Sequence, residues 1–216
     1  MTDGSTNPER RFTRPHPELE RVRAEAPACP RCDLASTRTQ VVFGEGDPHA
    51  RILLIGEGPG ADEDATGRPF VGRAGKLLDL VLEDAGLKRD ELYITNVVRC
   101  RPTSVKDGLI SNRTPRAGEV RACEVWRSAE IELVHPTVAV CVGPPAAKTL
   151  IAGDFKITEQ RGRLFPGEDG RTYIATLHRA YLLRLANADR NAYARVRAEV
   201  VDDLRAAASA ASGTEV

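Results

Sequence analysis

The chain is predicted to fold as an α/β domain built on a parallel sheet covered on both faces. Three observations lead there. Four short apolar runs are rich in β-branched residues, as buried strands are: 51–56 (RILLIG), 92–98 (LYITNVV), 137–143 (TVAVCVG) and 172–178 (TYIATLH). Helical patterns follow the first three, and strands that alternate with helices lie parallel between two helix layers. A chain of 216 residues with 41% hydrophobic and 29% charged residues is enough for one ordinary domain with tails, and it excludes wholesale disorder.

The elements follow in order. Residues 1–16 mix Pro, Gly, Ser and charge without periodicity and read as a flexible leader; the domain covers 17–206, and an Ala/Ser/Gly-rich tail, 207–216, is expected to fray. A short helix over 17–26 leads into Cys29 and Cys32. After the first strand, Leu77, Leu78, Val81 and Leu82 line one face of a helix over 74–85, which Gly86 ends. Val120, Trp126 and Leu133 mark a long helix over 116–134, a short one occupies 145–152, and an amphipathic helix over 188–208 comes last. No apolar stretch approaches the roughly 18 residues of a membrane span and the amino terminus is polar, so the expected location is cytoplasmic. The balance of 31 basic against 31 acidic residues excludes a histone-like polycation but leaves room for a local basic face.

Parallel α/β sheets bind ligands beyond the carboxyl ends of their strands. The first run is followed by Gly56-Glu57-Gly58-Pro59-Gly60, a tight turn whose backbone can approach a flat ligand. It lacks the Gly-Lys-Ser/Thr ending of a phosphate loop. The second run presents Asn96, whose amide carries both donor and acceptor for reading a base edge. The fourth ends at His178, which can donate a hydrogen bond to developing negative charge. Each has a bland reading when taken alone: a solvated loop acid, a turn asparagine, a satisfied core histidine. His135 precedes the third run, at the amino end of the sheet, and is read as structural.

Cys29 and Cys32 form a C-x2-C pair, and Cys100 and Cys123 follow far along the chain. Four thiolates gathered by folding can hold zinc or an iron–sulfur cluster, and spacing does not separate the two. Cys141 lies inside an apolar run and is assigned to packing.

Together these segments resemble the family 4 uracil-DNA glycosylases, the iron–sulfur branch of the uracil-DNA glycosylase superfamily. The resemblance covers roughly 27–206 and rests on GEGPGADED (56–64), TGRPFVGRAGKLL (66–78), ITNVVRCRP (94–102), NRTP (112–115) with Glu119 and Cys123, and TLHRAYLLR (176–184), in that order. It implies a three-layer α/β/α sandwich with a central four-stranded parallel sheet. It also implies a [4Fe–4S] cluster on Cys29, Cys32, Cys100 and Cys123, and release of uracil from DNA at the start of base-excision repair. By the same resemblance, Phe70 stacks on the flipped uracil, Asn96 pairs with its edge, and Gly58 lets backbone approach it. Glu63 fills the space of a thymine methyl, His178 donates to uracil O2, and Glu57 and Asn112 serve the water and the sugar. Arg179, Arg184, Arg113 and Lys106 are expected to meet DNA, with uracil-containing DNA as the partner of a monomer.

Two departures from the family pattern stand out. His178 is followed by Arg179 where the family usually has proline, which exchanges loop stiffness for a phosphate or groove contact. The stretch 103–111 (TSVKDGLIS) is about seven residues longer than the pattern and reads either as a tolerated surface loop or as a DNA lid with Arg101, Lys106 and Arg113. A related branch with a long loop here carries a histidine that links covalently to the sugar. This chain has no histidine between His49 and His135, and Asn112 stands at that place, so turnover without a stable adduct is expected. Two other readings stay open: the same fold acting on another deaminated base such as hypoxanthine, or a catalytically weak protein that binds uracil or abasic DNA.

Overall fold

The four apolar runs become four adjacent parallel strands, and two short strands extend the sheet at its edges. The computed structural model describes residues 15–213, apart from the side chains of Ala74 and Arg179. Its strands are β1 (Glu45–Gly46), β2 (Ile52–Gly56), β3 (Tyr93–Asn96), β4 (Thr103–Lys106), β5 (Leu109–Asn112), β6 (Val138–Val142), β7 (Leu164–Pro166) and β8 (Thr172–Thr176). The main sheet has the order β1-β3-β2-β6-β8-β7, so it contains six strands where four were expected. The expected four form its parallel centre, and β1 and β7 pair antiparallel with β3 and β8. These edges are two and three residues long, too short to leave a periodic signal, and Pro166 sits where an edge strand can spare an N–H.

The helices are α1 (Pro17–Glu25), α2 (Ala61–Thr66), α3 (Arg73–Asp84), α4 (Ala117–Ala122), α5 (Glu124–Val134), α6 (Pro144–Leu150), α7 (Ile157–Gln160), α8 (Arg179–Ala188) and α9 (Arg190–Ser212). Strand period two divides the core. Leu53, Ile55, Ala139 and Cys141 pack with residues of α1, α5 and α6. Ile52, Leu54, Val138 and Val140 pack with α3, α8 and α9. The sheet is therefore the middle of three layers, with apolar side chains buried on both faces.

Several elements differ from expectation, among them the separate helix α8 before α9. The helix expected over 116–134 breaks at Cys123, which caps α4 and begins α5; its sulfur accepts a hydrogen bond from the Arg99 N–H at 3.3 Å. The tail expected from 207 onward continues α9 as far as Ser212, because Ala207 and Ala211 lie one turn apart and are buried against the sheet layer. The leader, apart from its last two residues, lies outside the described residues. Within the long stretch after Pro102, β4 and β5 form a separate hairpin closed by Asp107 (φ 51°) and Gly108 (φ 75°), the dihedral signs of a two-residue type I′ turn. His135 caps α5 in a left-handed conformation just before β6, at the amino end of the sheet. Among the described residues no helix is long and apolar enough to cross a membrane.

Candidate active site

The chain passes from β2 to β3 on one side and then from β3 to β6 on the other, so strand order reverses between β2 and β6. A crevice at such a switch point is where doubly wound sheets bind ligands. Both strands run into a glycine there. A Cβ on Gly56 would stand 2.6 Å from Asn96 Oδ1 and 2.6 Å from Phe70 Cζ; one on Gly143 would stand 2.9 Å from His178 Cβ and Cδ2. The absent side chains let an amide, an aromatic ring and an imidazole from three other segments close over the two strand ends.

At this end of the sheet opens a cleft of about 620 Å³, lined by Glu57, Gly58, Glu63, Asn112, Arg113 and His178, and also by Arg73, Ala180 and Leu183. Asn96 and Phe70 are not among its lining residues; each is 1% exposed and is buried beside Gly56. The expected residues thus fall into two adjoining groups, an open cleft and a buried pair, joined through the turn that begins at Gly56.

Each side chain is held by identifiable contacts. His178 caps α8, and its Nδ1 accepts from Ala180 N–H at 3.2 Å, so a neutral imidazole carries its proton on Nε2, the donor nitrogen. Glu63 Oε2 accepts from Gly60 N–H at 3.0 Å, and Oε1 accepts from Val71 and Gly72 N–H at 3.1 and 3.0 Å. One carboxylate therefore ties the glycine turn to the loop that carries Phe70. Phe70 has φ 56°, a left-handed conformation costly for a bulky residue, and Arg89 braces it by donating to the carbonyls of Phe70 (3.2 Å) and Pro69 (2.8 Å). Asn96 Oδ1 is buried with no hydrogen-bond partner, which costs free energy unless a ligand supplies a donor. Asn112 Oδ1 accepts from Arg101 Nε at 2.7 Å at the foot of the hairpin.

The expected DNA-facing residues separate. Arg113 is bidentate to Glu119 (2.8 and 2.6 Å) and donates through Nε to Thr103 O, so its fork joins the hairpin to α4 rather than facing solvent. Lys106 is exposed on the hairpin, and Arg184 is exposed on α8 with its guanidinium carbon 5.9 Å from the Tyr181 ring centroid. Arg179 begins α8, but its side chain lies outside the described residues.

Cys29, Cys32, Cys100 and Cys123 line one small cavity, together with Arg38, Arg99 and Trp126. Two donors already face sulfur: Arg99 N–H to Cys123 Sγ at 3.3 Å and Arg38 Nη1 to Cys100 Sγ at 3.6 Å. Burial pushes the Cys100 thiol up to about 11 against the opposing pull of Arg38, and burial likewise raises Cys32. Among the described residues no three His, Cys, Asp or Glu side chains stand close enough to hold a single metal ion. Cys141 is fully buried in β6, away from this cavity, and burial alone raises its thiol pKa.

Sequence reasoning missed Arg73 in the cleft and the buried Arg99–Glu130 pair behind it. Only the second left a signal: a charged residue inside the otherwise apolar segment VVRC.

The family model of the uracil DNA glycosylase superfamily matches residues 43–205. The chain is 43% identical over 167 residues to a type-4 uracil-DNA glycosylase of Thermotoga maritima, covering 77% of this chain and 83% of the relative. It is 40% identical to the type-4 enzyme of Sulfurisphaera tokodaii, over 68% of this chain and 66% of that one. To that of Archaeoglobus fulgidus it is 43% identical, over 60% and 62%. With most of the chain matched and the switch-point site built from the matched segments, the chain belongs to the uracil-DNA glycosylase superfamily and to its type-4 branch.

Proposed function

We propose that the protein hydrolyses the N-glycosidic bond of uracil in DNA, leaving an abasic site for base-excision repair. The observation that carries this reading is Asn96: a buried carboxamide oxygen without a partner, beside an aromatic ring, at the switch point of the sheet. Uracil presents an N3–H donor next to the O4 acceptor, so Oδ1 accepts from N3–H while Nδ2 donates to O4. Cytosine offers an acceptor and an amine in those places and mismatches both. A base inside a duplex is out of reach, so the nucleotide is extruded first, at a cost of a few kcal/mol. Phe70 supplies the ring face for the extruded base, Gly58 the close backbone, and Glu63 the wall against a 5-methyl group.

In the chemical step the C1′–N1 bond breaks and its electron pair leaves with the base. His178 donates from Nε2 to O2, where the negative charge develops. The sugar becomes oxocarbenium-like; Glu57 and Asn112 orient a water whose oxygen bonds to C1′ and whose proton passes to the Glu57 carboxylate. Lys106, Arg179 and Arg184 meet the DNA backbone, while Arg113 fixes the hairpin foot.

The four converging cysteines fit a [4Fe–4S] cluster. The donor set is all sulfur, the four thiols line one cavity, and two N–H groups already face sulfur. When bound, such a cluster supplies covalent cross-links between the segment around Cys29 and Cys32, the loop after β3 and the α4–α5 junction.

The test is incubation of the purified protein with duplexes bearing one defined lesion, followed by alkaline cleavage of abasic sites. Strand breaks at uracil support the reading. Breaks only at another base such as hypoxanthine, or a gel shift without breaks, overturn it.

A further inference from the structure

The hairpin beside the cleft carries an apolar face that the chemistry at the switch point does not use. Val105, Leu109 and Ile110 are 69%, 75% and 64% exposed, more than any other large hydrophobic residue among those described. Val105 and Ile110 pair on one face and Leu109 lies on the other beside Lys106; on a two-stranded hairpin that joins no other sheet such side chains are a liability in water unless something covers them.

The register says what that face adjoins. Thr103 pairs with Asn112 and Val105 with Ile110, and residues two apart on a strand share a face. Asn112 lines the cleft. The Val105–Ile110 pair therefore continues the cleft-side face outward, about 7 Å beyond Asn112, a distance of about two base steps along a strand. The foot is braced: Arg113 N–H donates to Pro102 O at 3.0 Å, Arg113 grips Glu119, and Arg101 holds Asn112. Charge favours a polyanion as the occupant: with Arg113 paired to Glu119, Arg101, Lys106 and Arg116 remain against one acid, Asp107. On the opposite bank, α8 contributes Leu183 to the cleft and leaves Tyr181 40% exposed.

We infer that the β4–β5 hairpin is a duplex-engaging wedge: Val105 and Ile110 insert into the base stack next to the extruded nucleotide and hold the gap open. This inference rests on the glycosylase reading. Apolar side chains inserted between base steps stabilise locally unstacked DNA, whereas a single strand has no stack to separate. The wedge therefore acts on double-stranded substrate alone.

The experiment compares the full-length protein with its Val105→Ser/Ile110→Ser variant in single-turnover uracil release from single-stranded and duplex DNA. Binding to a duplex with 2-aminopurine next to the uracil is followed by fluorescence in parallel. The expected result is an unchanged rate on single strands, a fall of about tenfold or more on duplex, and loss of the fluorescence rise that accompanies unstacking. An equal effect on both substrates, or an unchanged duplex rate and fluorescence, overturns the wedge. So does sedimentation showing that the two residues instead hold a dimer of this chain while duplex release is unaffected. Failure of the unaltered protein to release uracil from either substrate counts against the glycosylase reading. The fluorescence comparison still decides the wedge in that case.

Discussion

Arg99 and Glu130 form an ion pair that is sealed from solvent, at 1% and 0% side-chain exposure; Arg99 also lines the cysteine cavity and bonds the backbone of Asn96. The Arg99 guanidinium donates to the carbonyl oxygens of Asn96 (2.5 Å) and Val97 (3.3 Å), while its backbone N–H donates to Cys123 Sγ. Glu130 accepts from Thr95 Oγ1 at 2.5 Å and from Gly44 N–H at 2.7 Å. Burial alone would lower the Arg99 pKa, but Glu130, with Cys123 and Tyr93, outweighs it and the guanidinium stays charged.

Removing one partner of such a pair leaves a buried charge uncompensated, so Arg99→Met should destabilise the fold by about 3–5 kcal/mol. The double variant Arg99→Met/Glu130→Leu should recover part of that loss, the remainder reflecting the Thr95, Gly44, Asn96 and Val97 groups left without partners. Urea unfolding of the two variants and the parent measures both effects; equal instability of single and double variants would contradict the pairing.

Asn96 reverses that relation between stability and activity. Its Oδ1 gains nothing in the unliganded fold, so Asn96→Ala should leave stability within about 1 kcal/mol of the parent. Uracil release should nonetheless fall by about 10²-fold or more. Thermal unfolding and single-turnover kinetics on the same preparation test the two halves separately.

His178→Ala should slow bond cleavage by about 10²–10³-fold with little change in DNA affinity, because the donor acts on charge that appears only in the transition state. The lost cap on Ala180 N–H should cost about 1 kcal/mol at the start of α8. A loss of affinity equal to the loss in rate would place His178 in ground-state binding instead.

Asp203 on α9 accepts from Thr176 Oγ1 and from Arg161, yet burial outweighs both and pushes its carboxyl up to about 6 from an ordinary 3.8. A folded pKa above the unfolded one means that the folded state binds the extra proton. The group's contribution is fully present below about pH 4 and is lost as pH rises through about 6. The stability difference between the parent and Asp203→Asn should therefore shift in favour of the parent as pH falls from 7 to 4, as read by chemical denaturation at each pH.

If the proposed cluster is bound, its withdrawal by a chelator, or Cys32→Ser, should bleach a broad visible absorbance and expose the segment around Cys29 to trypsin at Arg31 and Arg38. In the folded protein Arg38 is tied to the carbonyls of Pro27 (2.7 Å) and Cys29 (2.8 Å). Unchanged proteolysis after metal loss would show that the protein contacts alone order this segment.

The parallel centre of the sheet and the glycine turn after β2 were legible in the linear chain, because burial on both faces forces continuous β-branched runs; the four cysteines singled out there share one cavity. The position of Asn96 and His178 at the carboxyl ends of strands was legible from the same runs. Tertiary structure alone decided the rest. The break at Cys123, the two edge strands and the burial of Ala207 and Ala211 come from contacts between distant segments, not from any local pattern. The Glu119 carboxylate that holds the Arg113 fork lies six residues on, and the Glu130 that pairs with Arg99 lies 31 residues away, so neither partner shows in the linear pattern. Local propensity and periodicity encode which residues are buried, whereas the partner of a buried charge and the face a hairpin presents are set by packing between elements that the linear order keeps apart.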